Sequence, residues 1–141
     1  MKRIFSSNTH EKTFEIAEKL GKTAKKGDIF ALYGDLGSGK TVMAKGIASG
    51  LGIKEDVTSP TFNLLEIYEG RLTLYHFDLY RIGSETELDM LFFEEYWEGD
   101  GVSVIEWAER AGTRLPERII RVCLEYVDET TRRISVEYPD D

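Results

Sequence analysis

The stretch Gly34-Asp35-Leu36-Gly37-Ser38-Gly39-Lys40-Thr41 constrains this chain more than any other part of it. It meets the pattern G-x-x-x-x-G-K-[ST] at every fixed position. Glycine-rich backbone turns consecutive N–H groups inward around an anion, which bulkier residues resist sterically. Such a loop works between a buried strand and a helix whose N-terminal partial charge faces the same anion. Both flanks comply. Asp28 to Tyr33 is a short, mostly apolar run suited to a buried strand, and Lys40 to Ser49 reads as a helix stopped by Gly50 and Gly52. The pattern predicts a nucleotide site made by Gly37, Ser38, Gly39, Lys40, Thr41 and Val42. Lys40 would reach the β- and γ-phosphates and the Thr41 hydroxyl would ligate magnesium. Asp35 suits shaping the turn or facing a partner better than general-base work.

Around this loop the chain alternates strands and helices. Lys2 to Phe5 reads as a short strand. Asn8-Thr9-His10-Glu11 has capping-box spacing, ahead of a helix with Phe14, Ala17, Leu20 and Ala24 on one face that should end near Lys25-Lys26-Gly27. Phe62 to Tyr68 and Leu72 to Tyr80 flank Glu69-Gly70-Arg71 as a hairpin. Ser84-Glu85-Thr86-Glu87 is a second capping box. It predicts one helix with Leu88, Leu91, Phe92 and Tyr96 on a shared face, ending near Gly99-Asp100-Gly101. Val102 to Glu106 is an apolar strand finishing in an acid. The alternation of Ile120, Val122, Leu124 and Tyr126, then Ile134, Val136 and Tyr138, makes a second hairpin. The sum is an α/β domain with a mixed parallel and antiparallel sheet. At 141 residues one domain, 1–141, is expected.

Composition removes several function classes. With 18 basic against 26 acidic residues the net charge is −8, which repels phosphate backbones and argues against a freestanding basic nucleic-acid binder. No apolar run approaches membrane-spanning length, and Met1-Lys2-Arg3-Ile4-Phe5-Ser6 lacks a signal-peptide core. Cys123 stands alone, so no disulfide or cysteine-based zinc site forms within one chain. A small, acidic, cytoplasmic protein with no membrane association is expected.

Magnesium bound to a nucleotide also wants a carboxylate, commonly at the end of a neighbouring apolar strand. Val102-Ser103-Val104-Ile105-Glu106 and Leu72-Thr73-Leu74-Tyr75-His76-Phe77-Asp78 both qualify. One acid would hold the metal while the other orients or activates the attacking water; residue type alone does not apportion the roles. His76 shares a strand face with Asp78, so it either orients that acid or fills the core. Thr58-Ser59-Pro60-Thr61-Phe62 reads as a Ser-Pro turn or as a segment whose hydroxyls sense the γ-phosphate. Trp107 suits stacking or core packing, Cys123 is a small strand residue, and His10 receives no role. No Asn-Lys-x-Asp guanine element is present, which favours adenine. Its wall would come from the start of the first helix (Asn8, Thr9) or the last hairpin (Arg132, Arg133), with Thr9 and Arg133 chosen.

Together with the loop, Ser59-Pro60-Thr61-Phe62, His76-Phe77-Asp78-Leu79-Tyr80-Arg81 and Ile105-Glu106-Trp107-Ala108-Glu109-Arg110 resemble, in order and spacing, the bacterial TsaE (YjeE) family. The resemblance covers essentially the whole chain; Ser38 stands where alanine is usual. It implies a P-loop NTPase-like three-layer fold, ATP with Mg2+, and slow intrinsic hydrolysis expressed within a complex. The complex would contain TsaD-like and TsaB-like subunits and modify tRNA with threonylcarbamoyladenosine, so that contact with tRNA is indirect. Carried over, Lys40 and Thr41 hold phosphate and magnesium, Asp78 is the acid needed for hydrolysis, and Glu106 is a magnesium-linked acid. Ser59 and Thr61 belong to a switch-like segment, and Trp107 to the edge of the nucleotide pocket. Two rivals stay open. A small-molecule P-loop kinase would draw lid arginines from Arg110, Arg114 and Arg118, and a non-catalytic module would use the nucleotide only to order a partner surface.

Overall fold

Ile29-Phe30-Ala31-Leu32-Tyr33 is apolar at every position but the last because both of its faces are covered. Phe30 and Leu32 belong to one buried cluster, Ile29 and Ala31 to another on the opposite face. The computed structural model describes residues 1–35, 37–58, 60 and 64–139. Its strands are β1 (Lys2–Ser7), β2 (Ile29–Tyr33), β3 (Leu65–Tyr68), β4 (Leu74–Asp78), β5 (Val102–Glu106), β6 (Ile120–Asp128) and β7 (Thr131–Glu137). They form one seven-stranded sheet in the order β1-β7-β6-β2-β5-β4-β3. The four middle strands, β6, β2, β5 and β4, run parallel, and antiparallel pairings flank them: β3 on β4 at one edge, β7 on β6 and then β1 on β7 at the other. The mixed sheet expected from the sequence is therefore present, and the parallel centre places the ends of β2, β4 and β5 at one rim.

One face carries α1 (His10–Lys22) and α2 (Lys40–Gly50), whose Ile16, Ala17, Leu20, Met43, Ala44, Ile47 and Ala48 pack on the sheet. The other carries α3 (Glu85–Asp89), α4 (Glu94–Trp97) and a 3-10 helix over Ala108–Arg114. This is the three-layer α/β arrangement. Two glycines bring α1 and α2 together. A Cβ on Gly21 would stand 2.1 Å from the Ile47 carbonyl oxygen, and one on Gly46 would stand 2.4 Å from the Ala17 Cβ. Helix backbones in such contact tolerate no side chain at those positions. Among the described residues no helix is long and apolar enough to cross a membrane.

Several boundaries differ from the sequence reading. The α1 cap is Thr9, whose side chain accepts from the Lys12 N–H at 2.9 Å, rather than an Asn8–Glu11 box. The helix stops at Lys22. Lys25 to Asp28 is already a turn, closed by Asp28 N–H to the Lys25 carbonyl and by Lys25 N–H to the Asp28 carboxylate. α2 ends where expected, with Gly50 as its last residue, pressed against α1. The single helix expected after Ser84 is two short ones. Leu88, Phe93 and Trp97 point inward, and Phe77 meets Phe93 and Trp97 edge-on at 4.8 and 5.9 Å. That set does not share one helical face, so the backbone breaks at Phe92, with φ at 56°, leaving Phe92 66% exposed.

Candidate functional site

The loop after β2 is built from conformations that glycine permits. Gly37 and Gly39 have φ of 83° and 106°, and a Cβ on Gly34 would lie 2.7 Å from the Leu124 carbonyl oxygen. Gly39 caps α2 without a side-chain bond, and no acid occupies the first turn, so this helix end suits an anion. Lys40 is 5% exposed. Its ammonium donates to the Gly34 carbonyl and to the Asp35 carbonyl at 3.0 Å, and lies 3.8 Å from the centre of the Trp107 ring. Burial pulls the Lys40 pKa below the ordinary lysine value, opposed by Glu109, Glu106, Asp35 and Asp78. The lysine thus stands desolvated among acids at the point where the motif wants a phosphate.

The two strand-end acids meet here. β4 and β5 run parallel with Asp78 opposite Glu106, so both carboxylates reach the rim beside the loop. Their environments differ. Glu106 is 2% exposed; one oxygen accepts from the Thr41 hydroxyl at 3.2 Å and the other lies 2.6 Å from His76 Nε2. Asp78 is half-buried and accepts the Tyr80 N–H at 3.0 Å. Burial raises its pKa; Glu106 adds to this, while the Tyr80 N–H, His76 and Lys40 oppose it. A threonine hydroxyl beside a carboxylate, both oxygen donors, is the set a magnesium ion bridging to phosphate takes. Among the described residues no group of three or more His, Cys, Asp or Glu side chains forms a metal site. The Thr41 hydroxyl and the Glu106 carboxylate, 3.2 Å apart, are donors of the type a Mg2+ shared with phosphate would use.

A cavity lined by Gly37, Gly39, Lys40, Thr41, Val42, Asp78, Tyr80, Glu106 and Trp107 brings most of the expected residues together. Trp107, in left-handed backbone with φ at 57°, stacks on Tyr80 at 4.8 Å and covers Lys40. An adjoining hollow takes Thr9, Gly37, Ser38, Gly39, Val42 and Arg132. Arg133 is elsewhere. On β7 its side chain points to the opposite face, pairing with Glu125 at 3.5 Å, whereas Arg132 donates to the Gly37 carbonyl at 3.5 Å. Ser59 and Thr61 lie outside the described residues. Of the two hairpin arginines named for the base wall, Arg132 rather than Arg133 lines the hollow, while Tyr80 and His10, which lines both hollows, were not marked as site residues by the sequence; stacking partners leave no spacing signal. His76 binds Glu106 rather than Asp78, because the neighbouring strand offers its acid across the sheet while Asp78 points on to the rim. Of the arginines a kinase lid would use, Arg114 is held by Asp89 at 2.7 Å, and Arg118 borders a hollow with Lys25 and Lys26 at the opposite end of the strands.

Residues 7–134 match the family described as threonylcarbamoyl adenosine biosynthesis protein TsaE. Proteins named tRNA threonylcarbamoyladenosine biosynthesis protein TsaE are similar along most of the chain. The one from Treponema pallidum is 44% identical, covering 83% of this chain and 87% of its own. The one from Nostoc sp. is 42% identical over 96% and 85% respectively. The Bacillus subtilis protein is 41% identical over 89% and 78%. Among solved structures, that of Bacillus subtilis YdiB superimposes with a TM-score of 0.86 at 34% identity, covering 99% of this chain and 87% of that one.

Proposed function

This chain belongs to the TsaE family, and on that premise we propose that it is a Mg2+-dependent ATPase subunit serving threonylcarbamoyladenosine modification of tRNA. It would be cytoplasmic and act in a complex with TsaD-like and TsaB-like subunits that hold the tRNA. The observation that carries the reading is the meeting of the Thr41 hydroxyl and the Glu106 carboxylate beside the Lys40 loop, from positions 65 residues apart.

In this reading the backbone amides from Gly37 to Thr41 and the start of α2 bind the phosphates, and Lys40 exchanges its loop carbonyls for phosphate oxygens. Desolvation has already penalised its charge, so an anion there is favoured. Thr41 and Glu106 would hold magnesium, which would supply positive charge to offset the negative charge of the phosphates. Asp78, whose pKa is raised by burial and by Glu106 and which is thereby the stronger base once ionised, orients water and accepts its proton. Trp107, backed by the stacked Tyr80 ring, covers Lys40 on one side. The adenine would lie in the hollow of Thr9, Val42 and Arg132. The acidic surface, net −8, suits a subunit that leaves RNA contact to its partners.

The test is ATP turnover by the chain alone and with the two partner subunits and tRNA. We expect Lys40→Ala and Asp78→Ala each to lower turnover, and tRNA modification with it, by about 10²-fold or more. Unchanged turnover and modification in either variant would overturn the mechanism.

A further inference from the structure

We propose that His76 is a positioning residue for Glu106, holding one carboxylate oxygen through its Nε2–H so that the other stays directed at Thr41. This rests on the reading of Glu106 as the magnesium-linked acid. The two side chains meet across parallel strands, His76 on β4 and Glu106 on β5, at 2.6 Å and almost without solvent, 0% and 2% exposed. A carboxylate removed from water needs a partner on each oxygen. Glu106 finds Thr41 for one and His76 for the other.

The geometry also selects a tautomer. With Glu106 in the carboxylate role the proposal gives it, its oxygens only accept, so Nε2 would carry the hydrogen. His76 Nδ1 is buried with no hydrogen-bond partner among the described residues. As a bare lone pair Nδ1 is an under-satisfied acceptor; as an N–H it would be an orphaned buried donor, and Nε2 would face the carboxylate lone pair to lone pair, so the second form leaves two defects where the first leaves one. The Nε2–H form satisfies the ring nitrogen that matters and fixes the last torsion of Glu106. Two acids at one rim thereby become different. Glu106 is clamped on both oxygens, while Asp78 is bonded at one oxygen to a backbone N–H. Ligands oriented in advance by a buried partner bind metal more tightly because less freedom is lost on binding.

The experiment compares the full chain with His76→Gln and His76→Asn. A glutamine amide nitrogen reaches the place of Nε2, whereas an asparagine amide reaches only that of Nδ1. Mn2+ affinity of the ADP-bound protein is measured by electron paramagnetic resonance, with ADP affinity in EDTA and circular dichroism alongside. We expect His76→Asn to weaken Mn2+ by about 10–100-fold with ADP affinity in EDTA unchanged, and His76→Gln to recover most of that loss. Nitrogen-15 NMR of the wild-type imidazole should show Nε2 protonated and Nδ1 bare. Equal Mn2+ affinity in wild type and His76→Asn, or an Nδ1–H tautomer in the wild type, overturns the role of His76. The tautomer decides even where a variant does not fold. Absence of Mn2+ binding by the wild-type ADP complex overturns instead the magnesium reading of Glu106, and with it this inference.

Discussion

The loop with α1 and α2 behind it, and the rim of β4 and β5 with the segments that follow, make one site by opposite means. On the first side a single stretch, Gly34 to Thr41, supplies the turn, the cation, the hydroxyl and the helix end. Behind it, Gly21 and Gly46 lock two helix backbones together. On the second side Asp78, His76, Glu106, Tyr80 and Trp107 come from separate segments and meet only through sheet register and ring stacking. The chain beyond β4 is looser in construction. Its helices are short, and Met90 and Phe92 stand out at 74% and 66% exposure. Under the proposed function this contrast is a division of labour: the locally written side would bind and the assembled side would convert.

That division is easiest to break at the helix contact. Gly46→Leu drives a side chain into Ala17 and the Phe14 carbonyl, and should cost about 3 kcal/mol or more, read from urea unfolding of the purified variant. Next comes Lys40→Ala, expected to lower kcat/KM for ATP by about 10²–10³-fold and to weaken ADP binding in titration calorimetry. Asp78→Asn should cost about 10²-fold in kcat while leaving KM within a small factor. Equal damage to binding by the Asp78 variant would erase the distinction between the two sides.

Smaller effects sharpen it. Phe92→Gly removes a left-handed bulky residue whose side chain is mostly in solvent, and should stabilise by about 0.5–1 kcal/mol after the entropy of the unfolded glycine is subtracted. Smallest is the stability effect of Asp78→Asn. Burial raises the native pKa of Asp78, so the unfolded chain ionises first as pH rises. Below the ordinary carboxylate value both states are protonated and the substitution changes nothing. Through the window between that value and the raised native one, the wild type loses stability relative to the variant, and above it the difference is constant. A slightly higher Tm for Asp78→Asn at pH 7 and none at pH 3, by scanning calorimetry, is the expected outcome. A higher Tm for the wild type at pH 7 would mean that ionised Asp78 is stabilised, against its surroundings.

What was legible in the residues follows the same line. The phosphate loop, the strand before it and the helix after it could be read directly, because glycine tolerance, apolar runs and helical period are all local properties. β5 was readable to its last residue, Glu106, since a strand buried on both faces is mostly apolar up to the acid that ends it. Both acids were found for that reason. Their roles were not, since Asp78 and Glu106 are the same kind of signal in sequence and become different only when one is clamped by Thr41 and His76. The break at Phe92 was hidden because Leu88, Leu91, Phe92 and Tyr96 have a helix's period; the aromatic cluster around Phe77 overrode it. Arg132 rather than Arg133 faces the loop because neighbours on a strand point to opposite sides, and only the register of β7 in the sheet says which side is which. Local chemistry, in short-range order, was written in the chain. Which distant groups share a proton, an oxygen or a ring face was decided by the fold, because those contacts depend on strand order and register that no single segment carries.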